Sequence, residues 1–393
     1  MQKKIMLNPF SIFFIIILGI LLTYSLSWST FNEPLTVPMM LFLTFILITL
    51  LLFSKIFNRT FPEGTFVKRS FRINLIPWTL LAILSMAAEF VYEKAIPIIE
   101  ILVLKSGYEY TSFGGIPGFH VFAVTFVSFL GLYCWQLFLE EKRWYLLLLS
   151  VLFVSFPIML FNRGGFIMNL SSMFFIFLLH KRTMVIKLKY LSAFVLVLIL
   201  LLYAFGIFGN IRSDSENAAK DITDSSFILR VGQATEEFKN SPVPDPFFWA
   251  YLYASTPIAN LQYMTENIEP SNNLTLFITQ TVFPDFIGKR VEEKIGRTVQ
   301  QDQRRSPVFN VSTMFISSFK TLGFLGMLLT YFYFIFFVFL YSYMMKHMHT
   351  TKIIGIAILC TIAIFNMFDN MLVFSGLSFQ LVYPILFWIY KKL

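Results

Sequence analysis

Ten apolar runs, each about as long as a membrane is thick, constrain this chain more than any other feature. A helix needs about 20 predominantly apolar residues to cross the hydrocarbon core. Such runs lie at about 9–30, 35–54, 73–92, 119–139, 144–162, 164–180, 190–209, 321–344, 353–370 and 372–390. In lipid only helices and closed barrels satisfy their own backbone, and continuous apolar runs without alternation predict helices. The expected fold class is therefore all-α, a polytopic integral membrane protein with about ten transmembrane helices. Composition agrees. The chain is 57% hydrophobic, with 49 phenylalanines and only 13% charged residues, against roughly 25% in soluble domains. The first run imitates a signal peptide. It is too long, lacks a small-x-small site and is followed by another run, so an uncleaved first helix is expected.

Charge sets the expected orientation. With both termini cytoplasmic, the inner connections hold seventeen of the 31 lysines and arginines, and the short outer ones only Lys94, Lys105 and Arg163. That bias is the one membrane insertion requires. It also accounts for the net charge of +9 without nucleic acid as a partner. Three parts follow: helices one to seven in 1–209, a large extracytoplasmic loop in 210–320, and helices eight to ten in 321–393. Within the loop, 247–264 and 274–288 are apolar. If they spanned, their link "TENIEPSNN" would be cytoplasmic without a single basic residue, so interfacial or re-entrant helices are expected.

Arg163 breaks the charge trend. Taken as one helix, 144–180 would run about 55 Å across a core of about 30 Å. The chain must turn, and "RGG" at 163–165 is the expected turn, since glycine accepts tight-turn angles. Arg163 then sits at the outer surface, either snorkelling, paired with Glu89 or Asp369, or functional. Further arginines follow. Arg212 comes just after the seventh run and Arg230 lies beside apolar residues. Arg290, Arg297 and Arg304 recur every seven residues, which on a helix places them near one face. That stripe is either a solvated face or a phosphate site, because guanidinium forks match phosphate oxygens and stay charged. Asp214 and Glu216 are candidate general bases. Asp285 is either another or a helix cap. Trp249, Tyr251, Tyr253 and Tyr263 suit sugar stacking or an interfacial aromatic belt.

Cys134 and Cys360 form no disulfide framework, and four scattered histidines give no metal-ligand spacing. No phosphate-binding glycine loop, nucleophile elbow or zinc helix motif occurs. An enzyme built this way needs an already activated donor, with no cofactor and no metal.

With its ten runs, "NRGG" at 162–165, "GNIRS" after the seventh run, one large late loop and "NVSTMFISSFKTLGFLG" leading back into the membrane, the chain resembles the Wzy-type oligosaccharide repeat-unit polymerases of bacterial O-antigen and capsule synthesis. The resemblance implies a multi-pass protein of the bacterial cytoplasmic membrane with an extracytoplasmic active site. There a glycan would pass from undecaprenyl pyrophosphate to the sugar end of a second lipid-linked unit. Arg163, Arg212 and Arg230 match the family's arginines by context. Arg297 and Arg304 join them from spacing, Asp214 is the expected proton acceptor, and Tyr253 a sugar contact. The bilayer, a flippase and a chain-length regulator are the implied partners. "SFKTLGFLG" departs from the family's pattern, with Lys320 near where an acid is usual. A ligase-type transferase typically uses a histidine in the large loop, and 210–320 has none. A flippase would place polar groups near the bilayer midplane.

Overall fold

The first helix starts where its cap dictates. The computed structural model describes residues 7–62, 65, 73–109, 112–180, 188–213, 223–295, 304–305, 308–309, 311–348 and 351–392. Helix α1 (Pro9–Tyr24) opens on a reciprocal capping box: Asn8 Oδ1 accepts from Ser11 N and Ser11 Oγ accepts from Asn8 N, with Pro9 in the first turn. The amide of Asn8 also donates to Ser54 and Asn58 at 3.0 and 2.9 Å. This pins α1's start to the last turns of α2 (Val37–Thr60).

The chain continues through α3 (Leu75–Glu93), α4 (His120–Glu141), α5 (Trp144–Val154), α6 (Arg163–His180) and α7 (Leu188–Ser213). Then come α8 (Phe247–Asn267), α9 (Leu274–Thr281), α10 (Asp285–Ile295), α11 (Ile316–His347), α12 (Lys352–Phe365) and α13 (Val382–Lys392), with shorter helical pieces between. Among the described residues no strand forms; Ser29 and Ala234 make one isolated bridge. An apolar helix occupies each of the ten predicted runs. Among the described residues, five of these helices (α2, α3, α4, α6 and α11) are long and apolar enough to cross a membrane, and the other runs show shorter apolar stretches, in α7 the part Leu198–Ile211. Leu41, Ile48, Leu84 and Val91 stand exposed on α2 and α3. Such apolar outer faces fit lipid as the surrounding solvent, and the chain is a membrane protein by this criterion.

Helix α12 shows why an apolar run need not become a helix as long as the hydrocarbon core is thick. At about 1.5 Å per residue its 14 residues reach about 21 Å. It stops at Phe365 because two asparagines then turn the backbone onto themselves. Asn366 Oδ1 accepts from Met371 N, and Asn370 Oδ1 from Leu372 N. The helix is buried along nearly its whole length and packs on α1, α6 and α11, which makes it the centre of the bundle. On one side of it lie α1, α2, α8 and α11; on the other α3, α4, α5 and α6. Lipid supplies no hydrophobic drive for helices to associate, so tight packing and polar contacts must hold them. Phe10 meets the rings of Phe57, Phe334 and Phe339. Ser172 pairs with Thr361 at 2.8 Å, Asn169 with Ser128 at 3.0 Å, and Thr49 with Tyr331 at 2.7 Å.

The antiparallel helices put Lys55, Arg59, Lys142, Arg143, Lys346 and Lys352 at one end, here the basic end. There Lys352 Nζ donates to the carbonyls of Lys346 and Thr65. The opposite end, the far end, receives the described part of 223–315. In α8, Tyr251 accepts from Trp28 N and bonds Asn32, while Gln262 bonds Pro34 and Thr36. Two positions eleven residues apart thus hold the same 28–36 connection, so α8 lies along it. Ser271 and Asn273 donate backbone N–H to the carbonyls of Lys320 and Thr321, and Asp285 N to Val373 O. The first of these anchors falls at a break in α11, where Leu322 and Gly323 leave helical geometry and Gly323 has φ +62°.

The turn between α5 and α6 differs from expectation. Gly164 and Gly165 lie inside α6, and the reversal is made by 160–162. Phe161 takes a left-handed φ of 59°, and Asn162 Oδ1 accepts from Gly165 N at 2.9 Å. A capping asparagine, rather than glycine freedom, starts the helix here.

Candidate active site

At the far end of α3 one carboxylate is wholly buried. Glu89 is 0% exposed, yet it lies four residues before the helix ends. A buried carboxylate is costly without partners, and the connection 113–119, "FGGIPGF", supplies them by folding back over α3. Glu89 Oε1 accepts from Ile116 N at 3.3 Å, and Oε2 meets His120 Nδ1 at 2.5 Å. One turn on, Glu93 Oε1 accepts from Gly114 N and Gly115 N at 3.1 and 2.6 Å. The two acids therefore shape the glycine turn that delivers the first residue of α4 to them.

Gly115 makes the contact possible. Its φ is +64°, and a Cβ there would stand 2.2 Å from Glu89 Oε2 and 2.3 Å from His120 Nδ1. Only a residue without a side chain lets backbone, carboxylate and imidazole converge. The carboxylate holds Nδ1, so Nε2 is the remaining ring position for donating or accepting a proton. The histidine side chain is 29% exposed while its partner is buried. This is an oriented imidazole at an accessible rim, the arrangement by which a carboxylate sets the tautomer of a general base.

Two further features converge on this rim. The guanidinium of Arg290, on α10, lies against the same connection: its Nη2 is 3.6 Å from where a Cβ of Gly118 would stand. Below the rim, an apolar groove of about 250 Å³ runs between α3, α4 and α13, lined by Trp78, Ser85, Phe119, Phe122, Phe126 and Tyr383. Ser85 sits one helical turn from Glu89, and Phe119 immediately precedes His120.

The arginines expected from sequence are only partly gathered. Arg163 is exposed at the start of α6, its guanidinium 5.3 Å from the Phe161 ring. The expected pairing of Arg163 with Glu89 does not form, because His120 occupies that carboxylate. Arg163 still shares the neighbourhood: Phe90 touches both Phe156, from the α5–α6 turn, and Phe113. Arg230 is exposed on the short helix Ser226–Val231, beside the Ser29–Ala234 bridge. Arg212 is in the last turn of α7, which packs on α8, whereas α6 packs on α12 and α4. The side chain of Arg212 and the whole of Asp214, Glu216 and Arg297 lie outside the described residues.

The seven-residue stripe does not run along one helix. The described α10 ends at Ile295, and Arg304 is half-buried in non-helical backbone. Its neighbour Arg305 pairs with Glu33 and covers the Tyr263 ring at 4.7 Å. Asp285 acts as an anchor: its Oδ1 accepts from Ser375 N and Phe286 N and meets the Ser375 hydroxyl. The belt expected of Trp249 and Tyr251 is also corrected, since both are buried, with Trp249 Nε1 donating to Asn210. Tyr253 is half-buried against Phe205, ring centroids 5.2 Å apart. The Glu89–His120 pair was missed in sequence because its members stand 31 residues apart. Each is nonetheless a titratable residue inside or at the start of consecutive apolar runs.

No family model, curated protein or solved structure matches this chain.

Proposed function

We propose that the chain crosses the bacterial cytoplasmic membrane ten times, with both termini inside, and joins lipid-linked oligosaccharide units at its far end, as a Wzy-type polymerase does. The observation that carries this reading is the far-end rim, where a carboxylate-held histidine, an arginine and an apolar groove meet. Glycosyl transfer from an undecaprenyl pyrophosphate carrier needs those elements. The departing diphosphate is stabilised by fixed cations, the acceptor hydroxyl needs a proton acceptor, and the carrier chain needs an apolar path. The arginines 163, 230, 290 and 305 belong to far-end segments, as the first requirement asks.

The test is deletion of the gene followed by glycan electrophoresis, with the intact chain restored on a plasmid. A ladder that collapses to one capped unit, and returns on complementation, supports polymerisation. Uncapped lipid A with polymer still on its carrier assigns a ligase, and units trapped in the cytoplasm assign a flippase; either would overturn the proposal. In the complemented strain, Arg163→Ala is expected to shorten the ladder, with polymer yield down about tenfold or more from loss of a charge-assisted contact. Arg163→Lys is expected to recover little of it, since a point charge does not replace a planar fork. A full-length ladder from Arg163→Ala would remove Arg163 from the site.

A further inference from the structure

We infer that His120 is the proton acceptor of the transfer, with Glu89 as the residue that positions it. The inference rests on the glycosyl-transfer reading above. It names a base on the first half of the chain, away from the long segment in which sequence reasoning sought one.

The geometry selects this imidazole. Among the described residues the Nδ1 atom has the buried Glu89 as its partner at 2.5 Å, a contact that a Cβ at Gly115 would obstruct. The ring therefore presents Nε2 as its acceptor. In the step itself, the acceptor sugar's O–H bond breaks and its proton goes to Nε2. The freed oxygen forms a bond to the anomeric carbon of the donor glycan. The bond from that carbon to the diphosphate oxygen breaks, and the diphosphate leaves with the electron pair. The imidazolium is stabilised by the Glu89 carboxylate until it returns its proton to solvent. Charged groups facing the ring are Glu89 and Glu93 from α3 and, beside the same turn, Arg290 from α10. Ser375–Ser378, which also packs on α4, contributes no charge.

The groove gives the position its purpose. Phe119 and Phe122 flank His120 in sequence and both line it, so a chain lying there would end beside the imidazole. Its lining is almost entirely apolar, the chemistry of an isoprenoid tail rather than of a sugar.

The experiment uses open membrane fragments from the complemented deletion strain, supplied with their own lipid-linked units, and follows polymer formation against pH. Wild type is expected to lose activity at acid pH, as a transfer that needs an unprotonated acceptor does. His120→Gln is expected to lower the rate on the order of 100-fold or more at equal protein level. Glu89→Gln keeps the ring but removes the carboxylate that holds it in place, so its kcat is expected to fall on the order of 10-fold or more while KM for the lipid-linked units stays near wild type. A merely structural glutamate would change the amount of folded protein without lowering kcat per folded molecule. Three results overturn the inference: His120→Gln within twofold of wild type, a wild-type profile flat between about pH 5 and 8, or an unchanged kcat in Glu89→Gln at equal protein level. The second stands even if a variant fails to accumulate. A wild type that forms no polymer overturns the functional reading together with this one, and so differs from a failure of His120 alone.

Discussion

Gly115→Ala is expected to reduce polymer formation on the order of 100-fold, as complete loss of an oriented base would, while Gly114→Ala next to it stays close to wild type. At Gly115 the added methyl would sit 2.2 Å from Glu89 Oε2 and 2.3 Å from His120 Nδ1, at φ +64°. A left-handed alanine costs about 1–2 kcal/mol by itself. Forcing a buried carboxylate off its partner costs about 3–5 kcal/mol more, since Glu89 is 0% exposed. At Gly114 the nearest atom to an added Cβ is Glu93 Oε1 at 3.6 Å, an ordinary contact. The pair of alanines therefore separates the dyad from general stiffness of the turn. Thermal unfolding in detergent, read beside glycan ladders, checks both. Equal behaviour of the two variants would show that the Glu89–His120 contact matters to neither fold nor activity.

Asn260→Leu is expected to lower stability by about 3 kcal/mol or more. Asn260 is 1% exposed and serves three backbone groups at once. Its amide donates to Phe309 O at 2.9 Å and Val311 O at 2.7 Å, and its oxygen accepts from Arg305 N at 3.2 Å. Leucine fills the volume but strands all three, and each stranded buried group costs about 1–3 kcal/mol. Asn260→Asp should rescue nothing. It keeps the acceptor for Arg305 N but turns a carboxylate oxygen toward two carbonyls. Limited proteolysis around 304–311, together with the unfolding midpoint, reads the effect. If the aspartate variant matched wild type, Asn260 would not be the post that holds this segment to α8.

Much of the fold was legible because its dominant signal is one-dimensional. Length of apolar run located the helices, and the charges of Lys55, Arg59, Lys346 and Lys352 marked one end of the bundle. What failed was whatever depends on a few backbone angles. Helix α12 ends at Phe365 because Asn366 and Asn370 capture nearby N–H groups, although the sequence stays apolar beyond them. The α5–α6 turn passes through Phe161, a residue that rarely adopts a left-handed angle, instead of the adjoining glycines. The arginine stripe assumed that helical register continues past Ile295, and Arg304 is not helical. The site was least legible of all. Glu89 and His120 are unremarkable apart, and they meet only because two antiparallel helices and a glycine turn superimpose them.

The break in α11 reaches further than its own kink. An uninterrupted helix would spend the carbonyls of Lys320 and Thr321 on the amides four residues ahead. With Leu322 and Gly323 out of register, those oxygens are released, and Ser271 and Asn273 take them. The surface segment is thus moored to the membrane body by main-chain atoms, whose chemistry is the same whatever side chain each position bears. Residue 271 is consequently free to drift in identity over evolution without casting off the segment, provided it does not become proline, whereas Asn273 also caps α9, its Oδ1 accepting from Leu276 N at 3.1 Å. Gly323, packed 3.2 Å from Pro270 at the position a Cβ would take, has no such liberty.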